Sequence, residues 1–486
     1  MNEPTTTDSL TDMPATELRK LLLSREISAR ELLDAHLRRI EKTNPRVNAI
    51  VTLVADQATA AATAADNALA RGEQVGYLHG LPVACKDLQE TRGIRTTFGS
   101  TRYADNVPGH DALIVSRLRD AGAIMIGKTN TPELGAGSQT YNALFGVTRN
   151  PYDLTRTAGG SSGGAAAALA ARMIPLATGS DMGGSLRNPA SFCNVVGLRP
   201  SAGLVPSWPS AAGWSTLGVD GPMARTVGDV VLLLGAIAGY DDRSPIARPG
   251  DGSAFRDALD DGSMLGDPSV LRGLRVGWSR HPDGIPVAAE VTGVLETEGR
   301  TLLERLGASV IDDEPDLRGA DDAFRTIRAW LFAGLLGAEV TDGRTVANPD
   351  VAWNIEQGRL VTSADLMRAE QHRTEVYHRL RTCFERHDVL ALPTVQVVPF
   401  SADVHWPRDI DGVAQQTYLD WMRSCYLISV TGLPAISIPC GFTPGGLPVG
   451  LQLVGPPAGD LKLLRIAAAI EHAHPLWRRR PDPTDR

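Results

Sequence analysis

The sequence predicts an α/β protein built as one large domain, and three observations carry that prediction. Short apolar runs of strand length alternate with amphipathic, helix-length segments, the pattern of helices covering a sheet. No stretch reads as a linker between independent domains, and no internal repeat is present. The 486 residues, 43% apolar and 21% charged, have the composition of an ordinary globular protein and enough chain for one large core. That balance excludes wholesale disorder, and the 49 glycines follow no period, which excludes a collagen-like chain.

The elements follow in order. An amphipathic helix is expected from about Pro14 to Ser24, and a second from Ser28, where Ser28-Ala29-Arg30-Glu31 forms a capping box. Leu32, Leu33, Leu37 and Ile40 then recur at helical spacing. The Ala-rich Asp56–Arg71 segment is a third helix, stopped at Gly72. Leu81–Cys85 reads as a short strand, Asp111–Asp120 as a helix, and Ala123–Ile126 as a buried strand. Ala165–Arg172 is a helix opened by a Gly/Ser loop, followed by a strand at Ile174–Thr178. Residues 241–270, rich in Asp, Gly, Pro and Ser, read as a long surface loop. Leu274–Trp278 is a strand and Pro286–Leu306 a helix ended by Gly307. Ala435–Pro439 and Pro448–Val454 are strands joined by a Phe442–Gly446 hairpin. The expected organisation is a flexible segment at 1–12, a domain over 13–476 with a variable insertion at about 241–420, and a flexible tail at 477–486.

Charge and cysteine usage narrow the function. The 48 basic and 56 acidic residues give a net charge of −8, which argues against a binder of nucleic-acid phosphates. The five cysteines, Cys85, Cys193, Cys383, Cys425 and Cys440, are far apart and form no C-x-x-C pair, so neither a zinc ribbon nor a disulfide scaffold is indicated. Residues 1–12 lack the basic and apolar regions of a signal peptide. The apolar stretch Val230–Tyr240 is too short to span a bilayer. A soluble cytoplasmic protein with reduced thiols is expected, with no metal, no cofactor and neither membrane nor nucleic acid as partner.

Three motifs compete for the chemistry. Gly122–Thr129 matches the phosphate-loop pattern G-x-x-x-x-G-K-[ST], yet its middle is four apolar residues that look like the strand itself, where a phosphate loop has its turn. Gly159-Gly160-Ser161-Ser162-Gly163 matches the nucleophile elbow G-x-S-x-G. The polar Asn150–Thr157 segment before it is not a core strand, and no histidine is obviously placed as its base. The third is a constellation. Lys86-Asp87 follows a strand, Gly159–Gly164 opens an Ala-rich helix, and Gly179-Ser180-Asp181-Met182-Gly183-Gly184-Ser185-Leu186-Arg187 comes after it. In order and spacing these segments resemble the amidase signature family. The resemblance extends through Gly80–Asp87, Gly127–Asn130, Val196–Pro200, Gly221–Thr226 and the Leu433–Leu453 hairpin, and covers about residues 15–470.

The resemblance implies a single α/β/α domain with a central mixed sheet and a Ser–Ser–Lys triad. Lys86 matches the catalytic lysine, Ser161 the bridging serine, whose preceding peptide is cis in the family, and Ser185 the nucleophile. The backbone N–H groups of Met182, Gly183, Gly184 and Ser185 match the oxyanion hole, while Ser162, Asp181 and Arg187 support the loops. The physics fits. A serine hydroxyl needs a base beside it, and lysine serves as one only when burial has made it neutral. Ala84 and Cys85 place Lys86 at the end of an apolar strand. Glycines let the backbone approach the substrate and aim N–H donors at the oxyanion, about 3–4 kcal/mol each. Taken singly, a lysine is ordinarily a solvated charge and the serines are ordinary caps or turns. Cys85 stands where the family usually has an aliphatic residue, and reads as a small buried hydrophobe.

The substrate is less legible. Asp181–Pro189 followed by Phe192-Cys193-Asn194 departs from the A subunits of aminoacyl-tRNA amidotransferases, which usually carry Thr before the glycine pair and Gln after the arginine. It looks more like stand-alone bacterial amidases, including nylon-oligomer and urethane hydrolases. The long N-terminal membrane helix of the fatty-acid amide branch is absent. Gly135, Ala136 and Gly137 match a family loop near the acyl site. Trp208 and Trp214, with the region of Trp330, Phe332, Tyr418 and Trp421, are candidates to line an apolar pocket. The leading expectation is a serine amidohydrolase, monomeric or homodimeric, cleaving small amides, anilides or carbamates and possessing some esterase activity. The alternatives are the A subunit of an aminoacyl-tRNA amidotransferase complex and a catalytically silent protein of the same fold.

Overall fold

Apolar spacing produces the first helices as expected. Helix Ala15–Leu23 buries Ala15, Leu18 and Leu22. Ser28 caps Ala29–Val47: its hydroxyl accepts from the Glu31 N–H at 3.1 Å, and the Glu31 carboxylate accepts from the Ser28 N–H at 2.9 Å. The helix Ala55–Ala70 follows. In this computed structural model, residues 10–264, 266–341 and 348–483 are described.

Eleven strands make one mixed sheet. In chain order they are β1 (Ile50–Leu53), β2 (Pro82–Lys86), β3 (Ile124–Thr129), β4 (Leu176–Asp181), β5 (Val196–Arg199), β6 (Val219–Ala224), β7 (Arg275–Trp278), β8 (Ser309–Asp312), β9 (Val389–Pro393), β10 (Ala435–Phe442) and β11 (Pro448–Val454). Their spatial order is β1-β3-β2-β4-β6-β5-β10-β11-β9-β7-β8. The β3-β2-β4 and β9-β7-β8 runs are parallel, and the remaining pairs are antiparallel. Strands β2 and β3 are buried along their whole length, as parallel strands covered on both faces are. The fold is α/β, with helices flanking the sheet. Among the described residues no helix is long and apolar enough to cross a membrane.

The phosphate-loop look-alike resolves here. Its apolar middle is β3, and Lys128 is fully buried, donating to the Gln89 carbonyl and, at 2.8 Å, to Thr91 Oγ1. No turn is left to cradle a phosphate. The segment after residue 240 departs further from expectation. The presumed loop at 241–270 contains the helix Ser253–Asp260, which buries Phe255 and Ala258; its one apolar face is short enough to be masked by the surrounding Asp, Gly and Pro. The helix expected at 286–306 starts at Ala289 and passes through a π-helical turn, Leu295–Arg300, before Thr301–Arg305. The expected insertion supplies β7, β8 and β9, which complete one edge of the same sheet. Where described, both ends of the chain are docked. Leu10 is buried, and Asp12 pairs with Arg172 at 3.1 Å and Arg480 at 2.7 Å. Residues 1–9 and 484–486 lie outside the described residues.

Helix Gly163–Ala170 is buried throughout and sits against the strands that carry the site. A Cβ on Gly164 would lie 2.3 Å from the Asn130 amide nitrogen and 2.8 Å from the Ala49 carbonyl oxygen. Backbone on both sides cannot yield as a side chain would. Gly164→Ala is therefore expected to lower the stability by about 1–3 kcal/mol, read as an earlier denaturant midpoint. An unchanged midpoint would contradict this packing.

Candidate active site

Strand β2 ends on Lys86, and its parallel neighbour β4 ends on Ser180 and Asp181. Lys86 is fully buried, and Nζ donates to Ser161 Oγ at 2.7 Å and to Ser180 Oγ at 3.1 Å. Burial pushes its pKa down to about 7, against the opposing pull of the Asp220 and Asp181 charges. The amine is thus poised to hold or release a proton near neutrality. Ser161 stands in the turn between the strand Asp153–Thr157 and the helix Gly163–Ala170, after a cis Gly160–Ser161 peptide. Thr140 pins that turn: its hydroxyl donates to the Gly159 carbonyl at 2.8 Å and accepts from the Gly163 N–H at 3.0 Å.

The second loop, residues 182–186, hangs from a buried ion-pair network. Asp181 accepts from Arg187 Nε at 3.0 Å and Nη2 at 2.9 Å, and Arg199 Nη1 lies 3.5 Å from its Oδ1. All three side chains are fully buried. Burial pushes the Asp181 carboxyl up, but the two guanidinium groups outweigh it and hold the group well below the usual carboxylate range. Arg187 continues to the Cys425 carbonyl at 3.0 Å and Ser429 Oγ at 2.7 Å. Asp181 also accepts from the N–H groups of Gly184 at 2.9 Å and Leu186 at 3.1 Å. This corrects one expectation: the Gly184 N–H is committed to Asp181 and is not free for an oxyanion. The N–H groups of Met182, Gly183 and Ser185 donate to no acceptor among the described residues. The two loops meet where the Ser162 N–H donates to the Ser185 carbonyl at 3.2 Å. Glycine is required at 184, where φ is 114° and a Cβ would come within 2.6 Å of Cys425 Cβ.

Ser161, Ser180, Met182, Gly183 and Ser185 line one cavity of about 290 Å³. Its walls are mostly apolar, with Leu88, Leu134, Phe324, Leu331 and Phe332 among them. Of the expected pocket residues, Gly135 and Gly137 line it. Ala136 is fully buried behind them, its carbonyl accepting from Asn348 Nδ2 at 2.7 Å. Trp208 and Trp214 do not line it: Trp208 turns towards Arg243 and His110, and Trp214 is 79% exposed. Their small neighbours Ser207, Ser210, Ala212 and Gly213 take the wall positions instead. Of the second aromatic group only Phe332 reaches the cavity. Trp330 is exposed, whereas Tyr418 and Trp421 are buried.

Sequence reasoning missed Ser180, Asp220 and, on the helix Ala320–Thr341, every wall residue but Phe332, namely Phe324, Arg328, Leu331 and Leu335. Their spacing of four, three and four marks one helical face, but nothing local says that this face meets the cavity. Among the described residues no histidine lines it, so the elbow motif has no imidazole base there. All five cysteines are buried and free, and burial raises the Cys85 pKa, as suits a packing residue. Among the described residues one group of metal-ligand type, Asp313, Cys383 and His387, lies outside the cavity, with Asp313 already paired to Arg386 and His387.

Comparison with known proteins gives this geometry its context. The amidase family model matches residues 31–464. The chain is 36% identical to the A subunit of the glutamyl-tRNA(Gln) amidotransferase of Thermosynechococcus vestitus, covering 96% of this chain and 98% of that one. It is 34% identical to an acylamidase of Rhodococcus erythropolis, covering 96% and 97%. A bacterial aryl acylamidase of the amidase signature enzymes superposes with a TM-score of 0.88 at 29% identity, covering 98% and 99%.

The ion-pair network generates a test of its own. Removing one partner of a buried pair leaves an uncompensated charge, which costs about 3–5 kcal/mol. Asp181→Ala strands both Arg187 and Arg199 and should lower stability by that amount in denaturant unfolding. A variant as stable as the parent would show that the network is not holding the loop.

Proposed function

The chain belongs to the amidase signature family, and from that premise we propose a free-standing serine amidohydrolase acting on small amides, anilides or carbamates, with activated esters as further substrates. The observation that carries the reading is the 2.7 Å contact between a fully buried Lys86 and Ser161, in a cavity that Ser185 also lines. In this reading Ser185 Oγ attacks the substrate carbonyl. Its proton passes to Ser161 while the Ser161 proton passes to neutral Lys86 Nζ. Charge developing on the carbonyl oxygen is met by the N–H groups of Met182, Gly183 and Ser185, which have no competing acceptor among the described residues. Collapse breaks the C–N bond, and the ammonium of Lys86 returns its proton through Ser161 to the departing amine. Water then attacks the Ser185 ester, its proton passing through Ser161 to Lys86, and as the acyl C–O bond breaks the relay returns that proton to Ser185 Oγ and the acid is released. Each proton that the relay takes up, from Ser185 or from water, is given back to the leaving amine or to Ser185, and the scheme invokes neither metal nor cofactor.

The apolar walls suit an aryl or alkyl amide. The 36% identity to the A subunit of an amidotransferase favours a second reading, in which the chain works only within a complex with partner subunits. Copurification with partners, and glutaminase activity only in their presence, would select it. A hydrolysis panel of anilides, primary amides, carbamates and esters, with Ser185→Ala as the blank, separates the two readings. The isolated chain is expected to turn over the panel.

Two outcomes test the mechanism. Ser185→Ala should abolish turnover and labelling by a fluorophosphonate, and Lys86→Ala should lower kcat by about 10²–10⁴-fold. Full activity of Lys86→Ala at neutral pH would sink the scheme. The pH dependence has a definite sign. Lys86 titrates at about 7 in the folded chain, against 10.5 for an ordinary lysine. Below about 7 it is protonated and accepts nothing, so kcat/KM should rise as pH increases through that value and then level off. A profile flat from mildly acidic to alkaline pH, with chemistry limiting, would count against a lysine base.

A further inference from the structure

Arg328 has no role in the chemistry above, yet it faces the cavity in which that chemistry is proposed. It is 6% exposed and lines the cavity beside Met182. Nη2 donates to the Tyr418 hydroxyl at 2.7 Å, and Nη1 lies 3.1 Å from Met182 Sδ, a weak acceptor. Nε is buried without a partner. No carboxylate lies within ion-pair distance among the described residues; Asp350 feels its charge only from farther away. Arg325, one turn earlier on the same helix, is fully paired with Asp321 and Asp420. Instead of an acid, Arg328 has aromatic rings around it, with its guanidinium 4.2 Å from the Phe332 centroid and about 6 Å from those of Phe324 and Tyr418. Such rings ease the burial of a cation but do not fill its hydrogen-bonding fork.

A buried cation without a counter-ion is costly, and a guanidinium fork matches the two oxygens of a carboxylate. The cavity's other ionisable wall groups are already held, Asp181 by Arg187 and Arg199 and Asp220 by Gln89 at 3.1 Å and Ser207 at 3.0 Å. We propose that Arg328 is the anion-binding group of this cavity and that the preferred substrates are amides carrying a carboxylate. The inference rests on the amidohydrolase reading for its consequence in turnover, and on the cavity alone for binding.

The test uses pairs of amides that differ only in charge. One pair places the carboxylate on the acyl side: succinyl 4-nitroanilide against 4-methylpentanoyl 4-nitroanilide. The other places it on the amine side: 4-acetamidobenzoate against 4-isopropylacetanilide. The parent protein should favour the acid in at least one pair by about tenfold or more in kcat/KM. Arg328→Gln should erase that preference, chiefly through KM, and Arg328→Lys should keep part of it. Calorimetry of the same compounds on Ser185→Ala reads binding without turnover, and there the acid should bind more tightly by a similar factor, an advantage lost on adding Arg328→Gln. Equal handling of acid and neutral partner in both pairs, or a preference untouched by Arg328→Gln, overturns the proposal. If no amide is cleaved, the amidohydrolase reading falls, and the calorimetry still decides whether Arg328 binds a carboxylate.

Discussion

The buried pairing of Asp181 with Arg187 and Arg199 is the constraint on which the site depends. Three charges are taken wholly out of water, and each is matched by charge or by backbone. The network ties the end of β4 to β5 and to the helix Arg187–Phe192. Through Arg187 it reaches the helix Arg423–Ser429. Because Asp181 also receives the Gly184 and Leu186 N–H groups, the turn between them is held in one shape. The same bonds that fix the turn leave its remaining N–H groups directed elsewhere. Structural satisfaction of part of a loop is what makes the rest of it available.

The lysine follows the opposite logic. Its environment solvates the charge poorly, so the neutral amine is favoured and the pKa falls to about 7. Desolvation comes from the sheet, since β2 is fully buried and β3 and β4 flank it. Lys128, also fully buried, answers the same problem with a carbonyl and a hydroxyl from residues 89 and 91. Two lysines one strand apart are thus handled differently. One is bonded into the core, and the other is directed at serines on a cavity wall.

Floor and wall of the cavity come from different parts of the chain. The floor is built by segments between residues 86 and 185, and one wall by the helix Ala320–Thr341. That helix lies within the region expected as a variable insertion, whose strands β7, β8 and β9 nevertheless complete the common sheet. The middle of the chain is therefore both part of the core and the part that shapes what enters. Phe324 illustrates the coupling: it lines the cavity, stacks on Tyr426 and closes to within 2.9 Å of where a Gly183 Cβ would sit.

The α/β class, the capping box at Ser28 and the C-terminal hairpin were legible because each rests on local spacing or on a run of neighbours, whereas Lys86, Ser161 and Ser185 were singled out through the resemblance to the amidase signature family. A strand's apolar alternation, a cap and a Gly-Ser loop are written in consecutive residues. The commitment of the Gly184 N–H, the outward turn of Trp208 and Trp214, and the part played by Ser180, Asp220 and Arg328 were not legible in this way. They depend on how the loops and strands pack, over separations that run from 3 positions, between Asp181 and Gly184, to 146, between Met182 and Arg328. The aromatic-rich stretch suggested tryptophans for the walls, whereas Ser207, Ser210, Ala212 and Gly213 take those positions. The sequence by itself determined the class of fold and the chemical types gathered at the site. Only the tertiary structure decided which donors remain free and which cation stands unpaired, because both depend on how hydrogen bonds and burial are shared out once the chain has packed, which no local pattern encodes.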